Sequence, residues 1–186
     1  MRRVALSILT EEKFFRGSPR YIEQVRPFSL LPILRKDFVL DPYQLHESRA
    51  IGADAVLLIA AVLGQSALRD LYDEADALGL ESLIEVHTRE EIEGLQVDAP
   101  RIVGINNRNL STFETNLDTT FDLKRHVPQG ALLVSESGIS TPEHVRKLKD
   151  HGVTIALIGE SLMRSENPGE ALRLLLSLVG AEAGEK

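Results

Sequence analysis

Short apolar runs, β-branched or leucine-rich, recur along the whole chain with longer, polar-capped stretches between them. Val4 to Leu9, Leu31 to Leu34, Ala55 to Ile59, Ser82 to Val86, Ile102 to Asn106, Leu132 to Ser135 and Ile155 to Ile158 each read as a strand. Successive centres fall 20 to 29 residues apart, the length of one strand–helix unit, with no repeat of sequence.

Helix starts between these runs follow from simple chemistry: a side-chain oxygen ahead of the first turn satisfies backbone N–H groups that have no partner inside the helix. Asp41-Pro42-Tyr43-Gln44 and Asn167-Pro168-Gly169-Glu170 each supply a cap, a proline at the first helical position and Gln or Glu three residues after the cap. Ser18-Pro19 and Thr141-Pro142 repeat the cap and proline, and Thr88-Arg89-Glu90-Glu91 is a capping box without proline. Gly52, Gly79 and Gly152 fall where helices end in a left-handed residue. Strands alternating with helices at this spacing are parallel, because a right-handed crossover returns the chain to the same edge of the sheet. An open doubly wound sheet and a (β/α)8 barrel both satisfy that. The glycine-rich first turn of a nucleotide-binding open sheet is missing, since neither G-x-G-x-x-G nor G-x-x-x-x-G-K-[ST] occurs. Residues 1–186 read as a single α/β domain of (β/α)8 TIM-barrel type with only seven βα units encoded, and Ala181 to Lys186 as a frayed tail.

Charge and composition narrow the partner. Lys and Arg number 21 against 28 Asp and Glu, a net charge of -7 that repels nucleic acid and anionic membrane alike, so a small molecule is expected. With no cysteine there is no disulfide, thiolate nucleophile or cysteine-based zinc site. The longest wholly apolar run, Ala55 to Leu63, has nine residues against the roughly 20 that span a bilayer. The apolar stretch after Met1-Arg2-Arg3 is too short for a signal peptide, and the chain reads as cytoplasmic.

In parallel βα folds the chemistry sits beyond the carboxyl ends of the strands. Those ends are polar here: Arg35-Lys36-Asp37, Glu85-Val86-His87, Asn106-Asn107-Arg108-Asn109, Ser135-Glu136-Ser137-Gly138 and Gly159-Glu160-Ser161. Alternation puts Lys36 on the side of Leu34 and Glu85 on the side of Leu83, so an acid and a base can face each other over one opening. Ordinary solvated strand-end charges fit the same spacing. Ser137-Gly138 and Gly159-Glu160 follow the last two strands, where glycine admits an anion close to backbone N–H groups and the next helix start adds its dipole. Each glycine also serves a tight turn; the two loops together favour phosphate. His46, His87, His126, His144 and His151 show no H-x-H or H-E-x-x-H spacing, so no metal is expected, and His87 is expected to point away from Glu85 in a structural role. Asn106 and Asn107 either shape a turn or hold a substrate hydroxyl. Phe14, Phe15 and Phe38 either fill core or line a pocket for an aromatic ring.

At these strand ends the sequence closely resembles the indole-3-glycerol phosphate synthase family. The likeness runs in order through Ser7-Ile8-Leu9-Thr10-Glu11, Leu34-Arg35-Lys36-Asp37-Phe38, Asp41-Pro42-Tyr43-Gln44, Glu85-Val86-His87, Gly104-Ile105-Asn106-Asn107-Arg108-Asn109-Leu110, Val134-Ser135-Glu136-Ser137-Gly138-Ile139 and Ile158-Gly159-Glu160-Ser161-Leu162-Met163-Arg164. The resemblance implies the (β/α)8 fold and closure of an indole ring on 1-(2-carboxyphenylamino)-1-deoxyribulose 5-phosphate, with loss of carbon dioxide and water and no cofactor. It implies that Lys36 is the general acid toward the ribulose carbonyl oxygen, that Glu85 assists the later dehydration, and that Asn106 holds sugar hydroxyls or orients the acid and base. By the same likeness Glu136 supports the polar network of the mouth, Phe38 and Leu110 press on the anthranilate ring, and Arg108 and Ser137 touch substrate. Ser137, Gly138, Gly159 and Glu160 would offer backbone N–H groups to the phosphate.

The family's pattern opens with a helical extension and a first strand bearing a lysine and a glutamate, whereas Met1 stands just before the likeness of the second strand. Val4 to Leu9 and Ile155 to Ile158 are therefore expected to be open edges, paired by a second copy or an exchanged strand, or covered. Two competing readings are a phosphosugar barrel of phosphoribosyl isomerase type, one form of which needs a thiol base that this chain lacks, and a phosphosugar-binding remnant without catalysis.

Overall fold

The computed structural model describes residues 5–180; Val4 and the Ala181 to Lys186 tail lie outside the described residues. The strands are β1 (Leu6–Leu9), β2 (Ile33–Lys36), β3 (Ala55–Ile59), β4 (Glu81–Val86), β5 (Ile102–Asn106), β6 (Leu132–Glu136) and β7 (Ile155–Leu157). They form one parallel sheet in chain order. The helices are α1 (Arg20–Val25), α2 (Pro42–Ala50), α3 (Ala60–Ala77), α4 (Arg89–Glu93), α5 (Asp118–Leu123), α6 (Pro142–Asp150), α7 (Glu160–Met163), α8 (Pro168–Leu175) and α9 (Ser177–Gly180). Among the described residues no helix is long and apolar enough to cross a membrane.

The sheet curls. Lys36 on β2 and Glu136 on β6 lie four strands apart, which a flat sheet would separate by about 19 Å, yet their charged ends are 4.0 Å apart. Leu34, Leu57, Ile59, Leu83 and Val134 meet on the concave face, the inner filling of a barrel of TIM type. A second core, including Leu45, Leu58, Leu68, Ile84 and Ile105, lies between the sheet and its helices, each such side chain contributing about 1.5–3 kcal/mol of burial. Both faces are thus covered, which explains why these strands read as continuous apolar runs.

Most of the expected helix signals operate. Asp41 forms a full capping box with Gln44, while Thr141 and Asn167 accept from His144 N–H and Glu170 N–H. Gly52, Gly79 and Gly152 have φ of 94°, 70° and 75° after their helices. Ser18 departs from expectation: its side chain makes no cap, because entry to α1 is closed by backbone bonds from Ser18 N–H to Leu9 O and from Tyr21 N–H to Ser18 O. Thr88 caps Glu91 N–H, but the Glu91 carboxylate reaches one residue farther back, to His87 N–H at 2.7 Å. The second strand starts at Ile33, two residues later than its apolar run, since Pro32 has no N–H for the ladder, and it carries Lys36 as its last residue.

Candidate active site

Lys36, Glu85 and Glu136 converge at the carboxyl end of the sheet. Lys36 Nζ is 3.7 Å from Glu85 Oε2 and 4.0 Å from Glu136 Oε2, with both carboxylates buried and the ammonium partly open. Glu85 and Glu136 come from strands separated by β5, and what lets them meet is Gly104. Gly104 is in register with Glu85, and a Cβ there would stand 2.0 Å from Glu136 Oε1. Only glycine leaves room for the Glu136 carboxylate to fold back over β5. Burial, reinforced by the neighbouring Glu85 charge and opposed by Lys36, pushes the Glu136 carboxyl up to about 8.

Asn106 donates from Nδ2 to Glu85 Oε1 at 3.0 Å and accepts Arg108 N–H on its own Oδ1, so it shapes a turn and steadies the acid together. Asn107 does not face the opening. Its Nδ2 lies within bonding reach of Ser135 Oγ, Glu136 O and Ser137 O, and its Oδ1 accepts from Thr120 N–H and Thr120 Oγ–H, a buried clamp across β5, β6 and α5. Beneath Lys36, the guanidinium of Arg35 is buried on the helix side with Asp37 (3.0 Å), and Thr10 donates to the same Asp37 oxygen at 2.6 Å. Nothing in the spacing singled out these supports.

His87 corrects an expectation. It does not point away from Glu85: its Nε2 lies 3.4 Å from Glu85 Oε1 and its Nδ1 3.7 Å from Glu91 Oε2. Strand alternation ceases to apply after Val86, the last residue of β4, and the turn into α4 brings the ring back.

The aromatic residues settle at the rim rather than deep in the core. Phe15 and Phe38 stack with centroids 5.5 Å apart, Phe38 also touching the inner cluster, while Phe14 is exposed. Leu110 is half exposed on the loop after β5.

Ser137 and Gly138 are consecutive left-handed residues, with φ of 65° and 73°, and Thr115 Cβ lies 3.1 Å from where a Gly138 side chain would begin. Ser161 Oγ donates to Ile139 O at 3.0 Å, tying α7 to the loop after β6. Glu160 is held on both oxygens, by Arg108 at 2.5 Å and Arg164 at 2.8 Å, which keeps its carboxyl below the usual range. The helix that opens at Glu160 is α7, of four residues, so the expected dipole there is slight. Two guanidiniums, Arg108 and Arg164, stand against the one Glu160 carboxylate at this corner.

Sequence comparison places nearly the whole chain in one family. The indole-3-glycerol phosphate synthase family model matches residues 2–175. Curated relatives of that name share 51% identity over 173 residues in an Acidovorax species, 46% over 173 residues in Alkaliphilus metalliredigens and 49% over 175 residues in Bacteroides thetaiotaomicron. These alignments cover 92%, 93% and 94% of this chain and 65%, 66% and 67% of the relatives, so the chain spans about two thirds of their length. With its parallel βα sheet and its polar strand ends, the chain belongs to the indole-3-glycerol phosphate synthase family.

Proposed function

We propose that this chain carries indole-3-glycerol phosphate synthase chemistry, a lyase step of tryptophan biosynthesis in the cytoplasm. The supporting observation is the buried cluster in which one ammonium, Lys36, stands within 4.0 Å of two carboxylates. Lys36 protonates the ribulose carbonyl oxygen as the anthranilate ring carbon bearing the carboxylate attacks the carbonyl carbon. Carbon dioxide then leaves, and its bonding pair restores the aromatic ring. Glu85 takes the proton released from the adjacent carbon and passes it to the new hydroxyl, which departs as water, and Lys36 regains its proton from solvent. Glu136 keeps its proton near neutral pH, so Lys36 and Glu85 form one neutral pair and the mouth presents no net negative charge to an anionic substrate. Phe15, Phe38 and Leu110 flank the ring, Asn106 orients Glu85, and the phosphate lies at Ser137-Gly138 and Gly159-Glu160 near Arg108.

Purified chain incubated with 1-(2-carboxyphenylamino)-1-deoxyribulose 5-phosphate is expected to release carbon dioxide and develop indole fluorescence. Lys36→Ala and Glu85→Gln each cost roughly 100-fold to 10,000-fold in kcat. Substrate binding without product, in the parent chain as in both variants, would mean a binding remnant. Among the described residues β1 and β7 are the end strands of the sheet, which supports association with a second copy or strand exchange; light scattering on a gel-filtration peak checks this, and the mass of one chain at high concentration would count against it.

A further inference from the structure

Resting on the ring-closure reading above, we propose that His87 is a positioning residue: together with Asn106 it pins one oxygen of Glu85, leaving the other free to work beside Lys36. The two oxygens of Glu85 keep different company. Oε1 accepts from Asn106 Nδ2 at 3.0 Å and lies 3.4 Å from His87 Nε2, whereas Oε2 faces Lys36 Nζ at 3.7 Å. A carboxylate turns easily about its terminal torsion; the Asn106 hydrogen bond and the imidazole beside the same oxygen restrict that turn.

His87 is itself anchored from behind. Glu91, in the first turn of α4, accepts His87 N–H at 2.7 Å and lies 3.7 Å from the ring Nδ1, while its own N–H is tied to Thr88 Oγ1. Although burial opposes it, bonding to His87 keeps the Glu91 carboxyl below its usual range. Carboxylate, imidazole and carboxylate thus form a row from the surface of α4 to the mouth. The ring is 9% exposed and neither of its nitrogens meets hydrogen-bond geometry. Packing alone favours an apolar side chain there, since a buried unsatisfied polar group costs about 1–3 kcal/mol. A shift of a few tenths of an ångström brings the Glu85 contact to ordinary hydrogen-bond length, and about half an ångström or more the Glu91 contact.

Crystal structures of the chain and of His87→Leu test the geometry directly. In His87→Leu the Glu85 carboxylate is expected to leave Asn106 and turn; a carboxylate in its original place overturns the proposal. Kinetically, His87→Leu should lower kcat roughly 10-fold to 100-fold with KM within about twofold, and His87→Gln, which keeps an N–H donor, should recover most of the loss. A purely structural His87 would instead lower the melting temperature and leave kcat per folded molecule unchanged, which also overturns it. Lys36→Ala runs in parallel. If that variant stays active, or the parent chain makes no product, the ring-closure reading fails, and the Glu85 position in the two crystals still decides what His87 does.

Discussion

Raising the pH from 6 to 9 is expected to weaken the fold through Glu136. In the folded chain this carboxyl is pushed up to about 8, first by burial and then by Glu85, against an ordinary value of 4.5. Between those two values the folded chain holds a proton that the unfolded chain has released. Stability from this group is therefore full below pH 4.5, declines as pH rises, and is gone above 8. Two-state linkage with these values gives a loss of about 2 to 3 kcal/mol between pH 6 and pH 9. Urea unfolding followed by circular dichroism at each pH measures it, beside Glu136→Gln, which mimics the protonated acid at every pH. The two proteins should be alike at pH 6 within about 1 kcal/mol, and the variant should be the more stable at pH 9 by the amount the parent has lost. Titrating groups away from the Glu136, Glu85 and Lys36 cluster are common to both and cancel in the difference. A gap of the same size at both pH values, or one that closes as pH rises, would refute the reasoning.

Gly104→Ala sets a methyl group against the Glu136 carboxylate and Leu83 Cδ1, and is expected to lose about 1–3 kcal/mol by thermal melting, with product formation falling as Glu136 is driven out; an unchanged melt would contradict the close approach. Asn107→Ala strips partners from Ser135, Thr120 and the backbone of β6 and should cost roughly 3 kcal/mol in urea unfolding, a loss under about 1 kcal/mol counting against the clamp. Asp37→Asn removes one of two carboxylates paired with the buried Arg35, which keeps Glu47 at 2.7 Å, and takes charge from the oxygen that Thr10 also joins; about 1–3 kcal/mol should go, and a stability within error of the parent would show that the network is dispensable.

The elements most legible in sequence were those set by local chemistry. The limits of β3 and β5 coincide with their apolar runs, and the Asp41, Thr141 and Asn167 caps open α2, α6 and α8. Alternation also oriented Lys36 and Glu85 correctly toward one opening, because both lie inside strands. Where that condition lapsed, so did the rule: His87 stands one residue past β4, and its direction is fixed by the turn into α4. What periodicity did not contain is curvature. The approach of β2 to β6 depends on closure of the sheet, so the spacing could pair Lys36 with Glu85 but gave no reason to bring in Glu136, whose part came only from family likeness. The clue available was Gly104, a glycine inside a strand otherwise rich in β-branched residues, which signals a close approach from a neighbour.

That close approach links fold to charge. Three ionisable groups share a space too dry for all to be charged, and one ammonium can balance only one carboxylate. Asymmetry decides which. Glu85 has Asn106, His87 and Lys36 around it, whereas Glu136 is sealed over Gly104 with its Oε1 unpartnered. The proton therefore settles on Glu136, and the negative charge on the acid that the surrounding donors are arranged to hold. At the opposite side of the mouth Arg108 and Arg164 outnumber Glu160, leaving positive charge near the loops after β6 and β7. For the proposed substrate, with an anionic phosphate at one end and an aromatic carboxylate at the other, this distribution would draw the phosphate toward the guanidinium side and leave the carbonyl carbon near Lys36. On the proposed reading, orientation then follows from where glycine permits one acid to be buried with its proton.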